Sequence, residues 1–164
     1  NRIKSGKTEY VLKEHSIIDI IKRAVNKLQY HYPSVKFEFT QSPQIKKDLV
    51  IGDYDRLLHA VYNVLENSAK FSPEHETVHI ELQLKNGYFV ITIKDHGEGI
   101  PQDVMQGLFD GHFNGVDDAD RKGIGIGLFL VKRILEKHHG LIEIRSKLKK
   151  GTTVIIKLPM SKNK

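Results

Sequence analysis

The chain has 164 residues, 39% of them hydrophobic, the size of one domain built around a single core. It contains no cysteine, which excludes disulfides and thiolate metal sites and fits a reducing compartment. No stretch resembles a secretory signal or an apolar run long enough to span a bilayer, so the sequence reads as soluble, with no membrane contact. The net charge of +6 raises the question of nucleic acid, but the excess sits in short clusters: Lys46-Lys47, Lys147-Lys149-Lys150 and Lys162-Lys164. There is no basic helix with spaced base-reading side chains and no aromatic RNA-binding signature. A solvated basic surface is the better reading, and it also suits a polyanionic ligand. The first residue is Asn1 and not Met, which is expected of a piece of a longer chain.

In chain order, Asn1 to Thr8 is polar, with Ser5-Gly6-Lys7 as a hinge, and Glu9–Glu14 reads as a short strand. Ser16 and Asp19 form a variant capping box ahead of a helix whose one face carries Ile17, Ile18, Ile21, Ala24, Val25 and Leu28. His31-Tyr32-Pro33 ends that helix; Val35–Thr40 and Leu49–Ile51 are strands. Asp53 caps a second amphipathic helix reaching about Lys70, with Leu57, Leu58, Val61, Val64 and Leu65 as its apolar stripe. Val78, Ile80, Leu82 and Leu84 alternate with polar residues, Asn86-Gly87 signals a two-residue hairpin, and Tyr88–Asp95 returns. A glycine-rich polar stretch from His96 to Gly127 follows, broken by a short amphipathic segment at Val104–Phe109. Leu128–His138 reads as a helix ended by Gly140, and the strands Leu141–Ser146 and Thr152–Leu158 are joined by a turn at Lys149-Lys150-Gly151. The expected fold is an α+β sandwich, with helices on one face of a mixed, mostly antiparallel sheet.

Three constellations carry chemistry. Asn63, Asn67 and Lys70 share one stripe of the second helix at i, i+4, i+7. Asn is a mediocre helix former, an amide oxygen suits Mg²⁺ and Lys suits phosphate, although a solvated polar face would look the same. Asp95 keeps the inward parity of Phe89, Ile91 and Ile93, so its carboxylate should be buried and needs a donor, for which an adenine amine is a natural partner. The rival is a strand-end Asp that turns to solvent or caps the next turn. Gly97 and Gly99 permit close approach of a planar ligand. Finally, Gly123-Ile124-Gly125-Ile126-Gly127-Leu128 precedes a helix, where N–H groups favour phosphate; a flexible loop is the alternative. Its spacing is neither the dinucleotide fingerprint nor a P-loop.

Taken together and in order, these segments resemble the nucleotide-binding boxes of the GHKL superfamily, and most closely the ATP-binding catalytic domain of sensor histidine kinases. The resemblance covers about Glu9 to Pro159. Asn63–Phe71 is similar to the N box, Asp95–Ile100 to the first glycine box and Gly123–Leu128 to the second. Leu108-Phe109-Asp110 resembles the start of the F box, and Gly151-Thr152-Thr153 the closing Gly-Thr. It implies a two-layer sandwich of the GHKL ATPase type that binds ATP with Mg²⁺. Asn67 would ligate the metal and Lys70 contact phosphate. Phe71 would lie against the nucleoside, and Asp95 would accept the adenine amine. Gly97, Gly99 and Ile100 would line the base pocket, with Gly123, Gly125, Ile126, Gly127, Leu128 and Thr152 completing the site.

The resemblance further divides the chain into the end of a dimerisation helix and hinge (1–8), a catalytic domain (9–160) with a lid at about 101–122, and a tail (161–164). ATP-hydrolysing relatives carry Glu where this chain has Asn63; an amide is no general base, so a histidine acceptor is implied rather than water. Glu66 sits roughly 100° around the helix from Asn67 and should not substitute. Asn114 and His112 stand where Arg and an aromatic are frequent, leaving Arg121 or Lys122 as cations for the γ-phosphate. None of the nine histidines has a phosphoacceptor context; His138 and His139 read as surface residues and His96 as structural. The implied partners are the histidine-containing dimerisation domain of the same kinase and a response regulator. A homodimeric parent, a monomeric fragment and a cytoplasmic location complete the expectation. A slow ATPase or serine kinase of the same fold, or a non-catalytic nucleotide-binding module, are the rivals.

Overall fold

The structure, a computed structural model, describes residues 3–4, 7–105, 107 and 119–162. Two-residue strands β1 (Ile3–Lys4) and β2 (Lys7–Thr8) form an antiparallel ladder. Strand β3 (Lys13–Ser16) leads directly into α1 (Ile17–His31), followed by β4 (Lys36–Gln41). In the same way β5 (Leu49–Gly52) leads into α2 (Tyr54–Phe71). The long hairpin β6 (Thr77–Lys85) and β7 (Tyr88–Lys94) turns at Asn86-Gly87, where both residues take positive φ (52° and 81°), as a tight hairpin turn requires. Then come α3 (Gln102–Met105), α4 (Ala119–Lys137), β8 (Leu141–Lys147) and β9 (Gly151–Pro159).

Strands β4, β6, β7, β9 and β8 form one five-stranded sheet in that order; β4 pairs parallel with β6 and every other pairing is antiparallel. One face carries Val78, Ile80, Leu82, Phe89, Ile91, Ile93, Val154, Ile156 and Leu158, all buried against Ile17, Ile20, Ile21, Leu28, Leu57, Val61, Leu65 and Val131. The intervening residues of β6, such as His79 and Glu81, stay exposed. This is the two-layer α+β sandwich that alternation on the strands and 3.6-residue periodicity on the helices predict. Helix α2 lies between α1 and α4 and also touches β7, so it is the central helix of the layer.

Both major caps are long-range as well as local. The Ser16 hydroxyl accepts from Asp19 N at 3.0 Å and donates to Asp48, whose carboxylate also accepts from Ile18 N at 3.0 Å. Asp53 accepts from Arg56 N at 3.1 Å and from Val11 N at 2.8 Å. Burial alone would raise its carboxyl, but the Val11 and Arg56 N–H groups hold it below its ordinary value. The β3–β5 ribbon (Lys13↔Gly52 to Ser16↔Leu49) therefore fixes the N-termini of α1 and α2 together.

Two expectations need correction. His138 is not at the surface but only 3% exposed, while His139 is exposed as expected. Its Nε2 accepts from Asp53 N at 3.0 Å and its Nδ1–H donates to Ile134 O at 2.7 Å, so it joins the end of α4 to the start of α2. Position alone hid this, because the partner is 85 residues away. The second glycine segment is also not a loop: α4 is already helical from Ala119, so Gly123, Gly125, Ile126, Gly127 and Leu128 lie within it. Glycine weakens a helix by about 1 kcal/mol relative to Ala without removing its hydrogen bonds. Packing of Leu128, Val131, Ile134 and Leu135 in the core sustains the rest of the helix.

Burial pushes the His138 imidazole below its ordinary 6.5, opposed by the Ile134 carbonyl and the Asp53 charge. The folded state thus binds fewer protons than the unfolded one. Its contribution is complete above 6.5 and is lost as pH falls from there toward the depressed folded value. Thermal melts over that window should show the wild type losing stability faster than His138→Gln, which keeps a donor and an acceptor but does not titrate.

Candidate functional site

The site is assembled where the C-terminal end of α2, the loop after β7 and the β8–β9 hairpin meet. Asp95 follows β7 in its inward parity and is 5% exposed. Its Oδ1 accepts from Gly97 N at 2.9 Å and from Thr152 N at 3.2 Å, and Ser68 of α2 adds a side-chain hydrogen bond. Asp95 N in turn donates to Thr152 O at 2.9 Å. Burial raises the carboxyl from its ordinary 3.8, while Gly97, Thr152, Ser68 and the nearby His96 pull it back. The donors that a buried carboxylate demands are therefore supplied by the protein itself.

The glycines here answer to backbone convergence. A Cβ on Gly97 would lie 2.5 Å from Phe71 O and 3.2 Å from Asp95 Oδ1. Gly99, at φ +80°, faces Lys147 O at 2.1 Å, and Gly151, at φ +90°, faces Asp95 O at 2.2 Å. No side chain fits at any of these points, and two of them also require the left-handed region. The loop Asp95–Ile100 is thus cast against Phe71 on one side and the β8–β9 turn on the other. Ile100, half-buried against the core, closes it by donating its N–H to Ser146 Oγ at 2.7 Å.

Helix α2 is continuous through Asn63, Asn67 and Lys70, so the three stand on one stripe as the spacing predicts. Asn63 and Asn67 are half-buried and Lys70 is exposed, with its Nζ 5.8 Å from the Phe71 ring centroid. Glu66 faces elsewhere: it accepts from Tyr32 OH at 3.4 Å, at the end of α1. Asn67 Nδ2 is buried without a hydrogen-bond partner, one of two such side-chain atoms among the described residues. An amide with unspent hydrogen-bonding capacity can turn either face to a ligand without breaking a bond, and its oxygen is a hard neutral donor. The residues present therefore fit a hydrated divalent cation with phosphates.

Of the remaining expected site residues, Phe71 is half-buried against the core, Thr152 stands beside Asp95, and Leu128 is buried, its side chain spent on packing. Gly127 has open space where a Cβ would sit. The side chains of Arg121, Lys122 and residues 123–126, the F-box residues Leu108, Phe109 and Asp110, His112, Asn114 and most of the expected lid lie outside the described residues. Ser68 and Ser146 belong to the site and were missed. Each is a polar residue at core parity, Ser68 continuing the Val61–Val64–Leu65 stripe and Ser146 the Ile142–Ile144 alternation. That mismatch was the available signal.

A buried strand-end carboxylate, a glycine loop cast on a helix end and an amide-bearing central helix define a nucleotide-binding α+β sandwich. The family of histidine kinase-, DNA gyrase B- and HSP90-like ATPases matches residues 52–162, and the chain belongs to it. The sensor protein SrrB of Staphylococcus aureus is 37% identical over 117 residues, 70% of this chain and 20% of SrrB. The chain thus spans about a fifth of the length of such curated relatives. The mycobacterial sensor histidine kinase MprB has the same fold at a TM-score of 0.75 and 30% identity, over 91% of this chain and 97% of that one. Full-length ShkA in complex with AMPPNP shares the fold at a TM-score of 0.75 and 20% identity, over 93% of this chain and 32% of that one.

The two glycine segments should respond oppositely to Ala. Gly97→Ala forces its Cβ onto the Phe71 carbonyl and should cost about 1–3 kcal/mol in a urea melt. Gly127→Ala meets open space in a helix and should stabilise by up to about 1 kcal/mol.

Proposed function

We propose that this chain binds Mg-ATP and donates the γ-phosphoryl group to a histidine on the dimerisation domain of the same kinase. The observation that carries this reading is the α2 stripe beside Asp95. It offers Asn63, Asn67 and Lys70 but no carboxylate, because Glu66 is turned to Tyr32. An amide cannot take a proton from water, whereas an imidazole nucleophile needs no base to generate its lone pair. Asp95 would accept the exocyclic amine of adenine, and Phe71, Gly97, Gly99, Ile100 and Thr152 would enclose the base. Asn67, with Asn63 one turn before it, would hold the metal, and Lys70 would meet the phosphates. Magnesium, when bound, neutralises charge on the phosphates.

The work of the protein in such a transfer is positioning and charge compensation. The acceptor nitrogen attacks phosphorus in line, the bond from the γ-phosphorus to the bridging oxygen breaks, and ADP leaves with that electron pair. Lys70 offsets negative charge on the transferred group. Arg121 or Lys122 supplies a second cation, and the glycines from Gly123 to Gly127 allow close approach to the phosphates. The phosphohistidine then serves a response regulator receiver domain, in a cytoplasmic setting where ATP is available. No helix among the described residues is long and apolar enough to cross a membrane.

Labelled ATP incubated with this chain and a separately prepared phosphoacceptor domain should yield acid-labile label on that domain. Asn67→Ala should reduce the transfer on the order of 100-fold or more. Bound nucleotide without transfer to the cognate acceptor, or equally fast ATP hydrolysis without any acceptor, would count against the reading.

A further inference from the structure

We infer that His79 and His96 form a two-histidine site for a borderline divalent cation such as Zn²⁺, on the outer face of the sheet. The alternation that buries Val78, Ile80 and Ile93 turns His79 and Lys94 outward, and the register pairs these two across β6 and β7. His96 follows with the same outward parity, past the inward Asp95, and is exposed. The two imidazole rings stand 5.8 Å apart between centroids and nearly perpendicular, at 85°. Two imidazoles on one Zn²⁺, with nitrogens at about 2.0–2.1 Å, have ring centres roughly 5–6 Å apart, so the pair has the spacing of a chelate.

Glu38 supplies what a bare pair of surface histidines lacks. It stands opposite His79 in the parallel β4–β6 ladder, with its Oε1 3.0 Å from His79 Nδ1. An ionised carboxylate only accepts, so in the neutral ring the proton sits on Nδ1 and the Nε2 lone pair is left for a metal. A carboxylate behind a ligating histidine also fixes the ring and makes it a stronger donor. Glu81, exposed on the same face of β6, adds negative charge, while Lys94 opposes a cation. Among the described residues no group of three His, Asp or Glu side chains is gathered to close a metal site, so water takes the ion's other positions. Imidazole suits Zn²⁺, Cu²⁺ and Ni²⁺, whereas Mg²⁺ prefers oxygen, so this ion is distinct from one held at Asn67. His96 lies between Asp95 and Gly97, whose N–H donates to the Asp95 carboxylate at 2.9 Å. An ion on the pair therefore ties β6 to the glycine loop. The site stands independently of the nucleotide reading.

The test titrates Zn²⁺ calorimetrically into the nucleotide-free chain at about pH 7.5, where free imidazole is mostly neutral. The wild type should bind an ion that excess Mg²⁺ does not displace. His79→Gln and His96→Gln should each weaken it by at least about 10-fold, and Glu38→Gln by about 10-fold. His31→Gln, at the end of α1, should leave it unchanged. All four positions are exposed, so the variants should fold, which circular dichroism checks. Zn²⁺ should also slow amide hydrogen exchange in residues 96–99 of the wild type but not of His79→Gln. The inference is overturned if the wild type does not bind Zn²⁺, or if either histidine variant binds it as tightly as the wild type. Displacement of the ion by Mg²⁺ would equally overturn it, because that ion would belong with oxygen ligands.

Discussion

A carboxylate taken out of water must be met by hydrogen-bond donors or give up its charge, and Asp95 imposes that condition on everything around it. Its Oδ1 draws in the N–H groups of Gly97 and Thr152, while Ser68 reaches it from α2. A strand end, a loop, a neighbouring strand and a helix therefore converge on one side chain. The convergence is close enough to leave no room for a Cβ at Gly97 or Gly151. The glycines flanking Asp95 are thus demanded by the protein's own backbone, and the shape they give the loop is then available to a flat ligand.

Helix α2 is held at both ends, which turns a sequence stripe into a fixed surface. At its start, Asp53 caps it, ties down Val11 and donates its own N–H to His138 from the end of α4. At its far end, the Phe71 carbonyl backs the glycine loop and Ser68 bonds Asp95. Between those anchors the helix is buried along Leu57, Val61, Val64 and Leu65, so Asn63, Asn67 and Lys70 are left on the remaining face. Buried polar contacts at Asp53, Asp95 and His138 do little for net stability compared with apolar burial, but they set register between elements far apart in the chain.

Much of this was legible beforehand. Strict alternation gave β6 and β7, Asn86-Gly87 gave their turn, Ser16 and Asp53 marked two helix starts, and parity placed Asp95 inward. What escaped has a common cause. The Asp48 contribution to the α1 cap, the burial of His138 and the bonds of Ser68 and Ser146 all depend on partners distant in sequence, which no local pattern encodes. The early start of α4 was missed because three glycines read as a loop, although packing further along the helix outweighs their propensity.

The most direct measurement is Mg-ATP affinity of Asp95→Asn against the wild type, with circular dichroism to confirm the fold. The asparagine oxygen can still accept from Gly97 and Thr152, so the loop should remain in place. Its amide group, however, puts a donor where the second carboxylate oxygen stood. The expected result is a folded variant whose affinity falls about 10- to 100-fold, the worth of a charged hydrogen bond and its reversal. A folded Asp95→Asn protein that binds Mg-ATP as tightly as the wild type would contradict the account.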